Sequence, residues 1–275
     1  MIKGIDVSKH NGKIDWSQVK GQIEFAMIRA GYGKNNIDEK LDYNVKGCKE
    51  NGIHFGFYWF SYALSLDDVS KEAKYVCDLA DKYEPDYPIA FDWEYDSDTY
   101  SQKKGLKISN ATRALYAERF LSEVEKRGYY AMNYTNIDYL SKGFDSIMTR
   151  FDTWLAQWTT AEKPGRPCGI WQYSSKGKIK GIPGYVDLNY AYKDYASIIA
   201  GYKNGKVVKD YSEIIKDIAV AKQVFENDFA ENYTVIANEV IAGVHGNGKG
   251  RKDKLQSLGY DAQLMQMIVN RLVKK

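Results

Sequence analysis

The stretch IAFDWEYD, residues 89–96, sets acidic side chains directly after an apolar run. Asp92 and Glu94 are two residues apart, and along a strand such residues face the same side with Cα atoms about 6.5–7 Å apart. Like charges held that close raise one partner's pKa, so one carboxyl stays protonated near neutral pH while the other ionises. General acid catalysis needs that arrangement. A solvated strand end would place acids in the same way over so short a stretch, so the rest of the chain has to discriminate. Asp6 and Asp187 stand at the ends of two other proposed strands, and Tyr32, Tyr58, Tyr134, Trp158 and Gln172 at the ends of several more. Rings of this kind stack on sugar faces or fill cores. Clustered carboxylates would equally suit Mg²⁺-dependent phosphodiester cleavage.

These residues need elements to hold them. Apolar runs predict strands over Lys3–Val7, Phe25–Gly31, His54–Phe60, Pro88–Trp93, Tyr129–Tyr134, Thr153–Gln157, Gly169–Tyr173 and Val186–Tyr190. Helical spacing of Val69, Ala73, Val76, Cys77 and Ala80 predicts a helix over Leu66–Lys82, with Ser65 as its N-cap. A second runs from Asn110 to Arg127 and stops at Gly128, and a third covers Tyr43–Glu50 before Asn51-Gly52. Strands alternating with helices imply a parallel sheet, and about eight strands in about 190 residues imply closure. The expected fold is an α/β, irregular (β/α)5(β)3 TIM-like barrel. In such barrels the site gathers at the C-terminal ends of the strands, where the acids and rings stand.

At 275 residues the chain has room for that barrel and a smaller module. The first 197 residues carry as many basic as acidic side chains, whereas residues 233–275 carry seven Lys or Arg against three acids. A basic tail suits nucleic acid, a membrane surface or an anionic wall polymer, and sign alone does not choose among them. Cys48, Cys77 and Cys168 are odd in number and scattered, as are His10, His54 and His245, so neither a disulfide framework nor a metal site is signalled. The N-terminal residues lack a charged region followed by a long apolar stretch, so no signal peptide is expected. No run approaches the ~20 apolar residues of a membrane span.

The segments KGIDVSKHNGKIDW (3–16), AMIRAGYG (26–33), GFYWFSYA (56–63), FDWEYD (91–96), WLAQW (154–158) and IWQYSSKGKIKGIPGYVDLNYAY (170–192) resemble, in order and spacing, the glycoside hydrolase family 25 lysozymes. The resemblance implies a muramidase cutting the β-1,4 bond between N-acetylmuramic acid and N-acetylglucosamine, retaining and substrate-assisted, without cofactor or metal. It implies Glu94 as general acid and base, Asp92 as stabiliser of the charged ring, and Asp6 and Asp187 as the surrounding network. Tyr32, Tyr58, Tyr62, Tyr134, Trp158 and Gln172 become candidate sugar contacts. Residues 236–272 resemble a three-helix cell-wall-binding repeat of the CW-seven kind, with Gly246, Asn247, Gly248 and Arg251 as candidate wall contacts. The organisation expected is therefore a catalytic barrel over 1–197, a linker over 198–232 and a three-helix module over 233–275. The partner the resemblance implies is bacterial peptidoglycan, with no nucleic acid and no membrane insertion expected, reached after cytoplasmic synthesis and release as in phage lysis. A metal-dependent phosphodiesterase on the same carboxylates and an inactive peptidoglycan-binding barrel are the rival readings.

Overall fold

The computed structural model describes residues 1–144, 150–203, 240, 250–252 and 255. They belong to two compact units, one of Met1–Ser97 with Arg113–Val207 and one of Asp98–Thr112 with Val208–Lys275. The first unit contains β1 (Ile2–Val7), β2 (Phe25–Tyr32), β3 (Asn36–Ile37), β4 (His54–Phe60), β5 (Ile89–Asp92), β6 (Ala131–Asn136), β7 (Asp152–Ala156), β8 (Ile170–Gly177) and β9 (Val186–Ala191). Their order is β1-β9-β8-β7-β6-β5-β4-β2-β3, and β1 also pairs with β2. Eight strands therefore form a closed barrel, and β3 is a short antiparallel addition to β2.

The α/β barrel is the expected one, with one change of direction. β1, β2 and β4 to β8 run parallel, but β9 runs antiparallel to both β8 and β1. The cause is the connection. Residues 178–185 are too few for the crossover of a dozen or more residues that a parallel return needs. The start of β9, not its end, therefore reaches the mouth where the other strands finish.

Local chemistry sets the helices. Ser65 accepts the Asp68 N–H at the start of the helix Leu66–Tyr83, whose Val69, Ala73, Val76 and Ala80 are buried. The helix Leu41–Asn51 ends at Gly52 with φ 67°, a left-handed conformation that glycine adopts without steric cost.

The barrel lumen is filled. Met27, Met132 and Trp154 occupy it, and at the end opposite the mouth Phe25 stacks on Tyr87 at 4.7 Å. Tyr195 meets Tyr87 and Tyr130 edge-on, at 5.6 and 5.4 Å. Asp152, at the start of β7, accepts from Tyr130 Oη at 2.7 Å, Tyr195 Oη at 2.9 Å and Lys193 Nζ at 2.8 Å. Residue 197, where the barrel was expected to end, lies inside the helix Tyr195–Lys203, and Ile199 of that helix is part of the lumen core.

In the second unit Val240, Gly250–Lys252 and Leu255 are helical, with Val240 and Leu255 buried and Arg251 half-buried. Gly246, Asn247 and Gly248, with nearly all of the expected linker and three-helix module, lie outside the described residues.

Candidate active site at the barrel mouth

β5 is buried throughout and ends at Asp92, so Glu94 follows the strand rather than belonging to it. The alternation of sides nonetheless continues. Phe91 and Trp93 stack at 6.4 Å, and they pack against Phe120 and Tyr116 of the helix Asn110–Lys126. Asp92 and Glu94 therefore turn the other way, toward the barrel axis. Reciprocal bonds fix the Glu94 backbone: its N–H donates to Ser97 Oγ at 3.2 Å, and Ser97 N–H donates to its carbonyl at 3.0 Å.

Asp6 on β1 stands opposite Asp187 on β9 in the antiparallel register, and the two side chains share a hydrogen bond. Gln172 Nε2 and Asn189 Nδ2 both donate to Asp6 Oδ2, at 2.9 and 2.8 Å. Each amide is oriented in turn. Trp154 Nε1 donates to Asn189 Oδ1 at 2.8 Å, and Trp158 Nε1 donates to Gln172 Oε1 at 3.0 Å. This network reaches from β1 through β7, β8 and β9 and fixes Asp6 in a water-poor place.

Burial pushes all four carboxyls upward. For Asp6, burial comes first, then the charge of Asp187; the two amide bonds oppose them. Asp92 is raised well above the usual carboxylate range by burial, then by Glu94 and Asp6, with Arg29 acting against them. Its Oδ1 is buried and has no hydrogen-bond partner among the described residues. Glu94 is half-buried, and burial, Asp187 and Asp96 push it up to about 7. Burial raises Asp187 as well, against the hydrogen bond with Asp6. Glu94 is thereby divided between its two forms near neutral pH.

The expected sugar contacts separate by depth. Trp158 is 62% exposed and Tyr32 and Tyr62 are half-buried, so these three rings stand on the rim. Tyr58 and Tyr134 are buried, each packed edge-on against Trp154, and Gln172 is buried beside Asp6. The geometry makes these three the floor that supports the acids. Four further residues have no place in the sequence reading. Asn189 follows Asp187 by two and shares its strand face. Arg29 pairs with buried Asp38 at 2.7 Å and lies 5.5 Å over the Tyr32 ring. Tyr95 and Tyr185 are exposed rings beside Glu94 and Asp187 in the chain. Adjacency to the acids is a signal for three of these, and Arg29 shares the alternate face of Phe25 and Met27. Among the described residues no group of three His, Cys, Asp or Glu side chains is arranged to hold a metal ion.

Residues 5–182 match glycosyl hydrolases family 25, and residues 235–273 match the CW_7 repeat. Lysozyme M1 of Streptomyces globisporus is 27% identical over 203 residues, covering 68% of this chain and 67% of that protein. The lysozyme of Streptococcus phage Cp-7 is 26% identical over 281 residues, covering 98% of this chain and 69% of its own. Among solved structures, the modular autolysin LytC from Streptococcus pneumoniae superposes with a TM-score of 0.59 at 28% identity, over 68% of this chain and 46% of that one. The chain thus spans less than half the length of that autolysin.

Proposed function

The chain belongs to glycosyl hydrolases family 25, and on that premise we propose that it is a muramidase hydrolysing the β-1,4 bond between N-acetylmuramic acid and N-acetylglucosamine in bacterial peptidoglycan. The observation that carries this reading is the acid cluster at the mouth, where Glu94 follows Asp92 at the end of β5 near the paired Asp6 and Asp187, and where burial and neighbouring acids push its carboxyl up to about 7. A carboxyl poised there can give a proton to the glycosidic oxygen and take one back from water.

In the first step Glu94 protonates the leaving oxygen while the carbonyl oxygen of the substrate's own 2-acetamido group attacks the anomeric carbon. The bond to the departing sugar breaks and a charged ring forms. Asp92 accepts the acetamido N–H and so stabilises the positive charge as it develops; Asp6 and Asp187 with their amides hold the local field. In the second step Glu94, now ionised, takes a proton from water, and the hydroxide opens the ring. Two inversions give overall retention, one of the exceptions to the covalent glycosyl-enzyme route. Tyr32, Tyr62 and Trp158 are the sugar platforms in this scheme. The residues matching the CW_7 repeat, Gly246, Asn247, Gly248 and Arg251 among them, are the wall attachment.

A metal-dependent phosphodiesterase draws less support. Asp6 is committed to two amides and Asp187, and Arg29 is paired with Asp38 rather than open to phosphate. The test is the anomer released first, read by proton NMR on soluble glycan fragments: β before mutarotation is expected, and α first would overturn the retaining scheme. Cleavage abolished by a metal chelator would favour the phosphodiesterase instead.

A further inference from the structure

Glu72 is a buried acid that this chemistry leaves unused. It is 2% exposed, on the face of the helix Leu66–Tyr83 that also buries Val69, Ala73 and Val76. Both of its oxygens meet the turn that leaves β4. Ser61 Oγ hydrogen-bonds Oε2 at 2.6 Å, and the Tyr62 N–H donates to Oε1 at 3.0 Å. One helical turn earlier Asp68 accepts the Leu64 N–H at 3.1 Å, and Ser65 accepts the Asp68 N–H at 3.1 Å. Ser61 N–H donates to the Asp92 carbonyl at 2.8 Å, which ties the same turn to the strand bearing the catalytic pair. Two acids spaced i and i+4 thus fix residues 61–65 in one shape.

A carboxyl in that position is costly, because burial desolvates it, and an apolar side chain would pack there at less expense. What the turn presents gives a reason for it. Tyr62 is half-buried, lies edge-on to Tyr32 at 6.4 Å and covers Gly33, where a Cβ would stand 3.3 Å from the Tyr62 ring. Tyr32 ends β2 at the mouth, so the Tyr62 ring set against it stands at the same rim. We propose that Glu72 is a positioning residue for glycan binding, holding the Ser61–Tyr62 turn so that the Tyr62 ring is set against Tyr32 before substrate arrives. The inference rests on the reading of Tyr62 as a sugar contact. Without the acid, the Ser61 hydroxyl and the Tyr62 N–H lose their bonds to it, and the ring must be ordered when substrate binds, which weakens binding. Burial pushes Glu72 up to about 8, so it is protonated at neutral pH, a state that a glutamine side chain copies.

The test is steady-state kinetics on soluble peptidoglycan fragments with full-length Glu72→Leu, Glu72→Gln, Tyr62→Ala and the Tyr62→Ala/Glu72→Leu double variant. Glu72→Leu should raise KM about 5–30-fold with kcat within about threefold, and Glu72→Gln should stay within about threefold of the parent. In the Tyr62→Ala background, Glu72→Leu should add less than about twofold, because the ring through which it acts is gone. If Glu72→Leu does not fold, Ser61→Ala takes its place in the same cycle and should give a smaller KM rise that also vanishes with Tyr62→Ala. Additive KM effects, or a fall in kcat alone, would overturn the role of Glu72. A native KM for Tyr62→Ala would instead overturn Tyr62 as a sugar contact, and the inference with it.

Discussion

Glu94→Gln keeps the shape of the side chain and removes its proton. The rate of wall lysis should fall ~10²–10⁴-fold or more, while circular dichroism stays native; a near-native rate would remove Glu94 from the acid role. Asp92→Asn should be nearly as damaging. The pH dependence follows from the same carboxyl. Glu94 is protonated below about 7 and loses its proton above it, so kcat/KM should decline with an alkaline limb centred near 7. Stability runs in the same direction. A carboxyl raised on folding from 4.5 to about 7 binds more protons in the native state, so stability falls as pH climbs through that window. Glu94→Gln should therefore raise the melting temperature above pH 7, by roughly 2–4 °C for each kcal/mol of relieved cost. The four acids are legible in the sequence because acids at the ends of apolar runs are chemically conspicuous. The depth of Tyr58, Tyr134 and Gln172 is not, since strand tilt and stagger decide which strand-end side chains become floor and which become rim. Arg29 and Asn189 escape notice because a polar residue on an apolar face has no visible partner until the register is known.

Among the elements, β9 shows what a hydrophobic pattern omits. An alternating stretch such as Val186–Tyr190 reads the same in either direction, so it identifies a strand without giving its sense. The short link from β8 was the available clue. Reversal is what lets Asp187 and Asn189, on one face of β9, lie beside Asp6. β3 is not legible in the sequence because its two residues are exposed and bear no pattern. The far end of the barrel makes a separate prediction. Asp152 accepts from two tyrosines and a lysine, joining β7 to the helix Tyr195–Lys203. Asp152→Ala should lower the unfolding free energy in urea by about 2–4 kcal/mol, the order expected for lost hydrogen bonds to a charged acceptor. The rate per folded molecule should be unchanged, because the mouth lies at the opposite end. A kinetic defect without destabilisation would show that the plug acts on the site.

Taken as a whole, the chain should divide its labour between cutting and attachment. Truncation after residue 203 should leave a folded barrel that cuts soluble fragments but attacks intact walls poorly, because the tail raises effective concentration at an insoluble substrate. Truncation after residue 197 should be less stable, since it removes Ile199 from the lumen core, a loss of roughly 1.5–3 kcal/mol. The net positive charge of residues 233–275 means that the full-length advantage on walls should shrink with salt; equal activity of long and short forms at low and moderate salt would refute the division. The most direct measurement of the central claim is mass spectrometry of peptidoglycan digested by the full-length protein and by Glu94→Gln, then reduced with borohydride. The account requires new muramitol ends from the parent protein and none from the variant. Glucosaminitol ends, freed peptides, or muramitol ends from Glu94→Gln in native yield would contradict it.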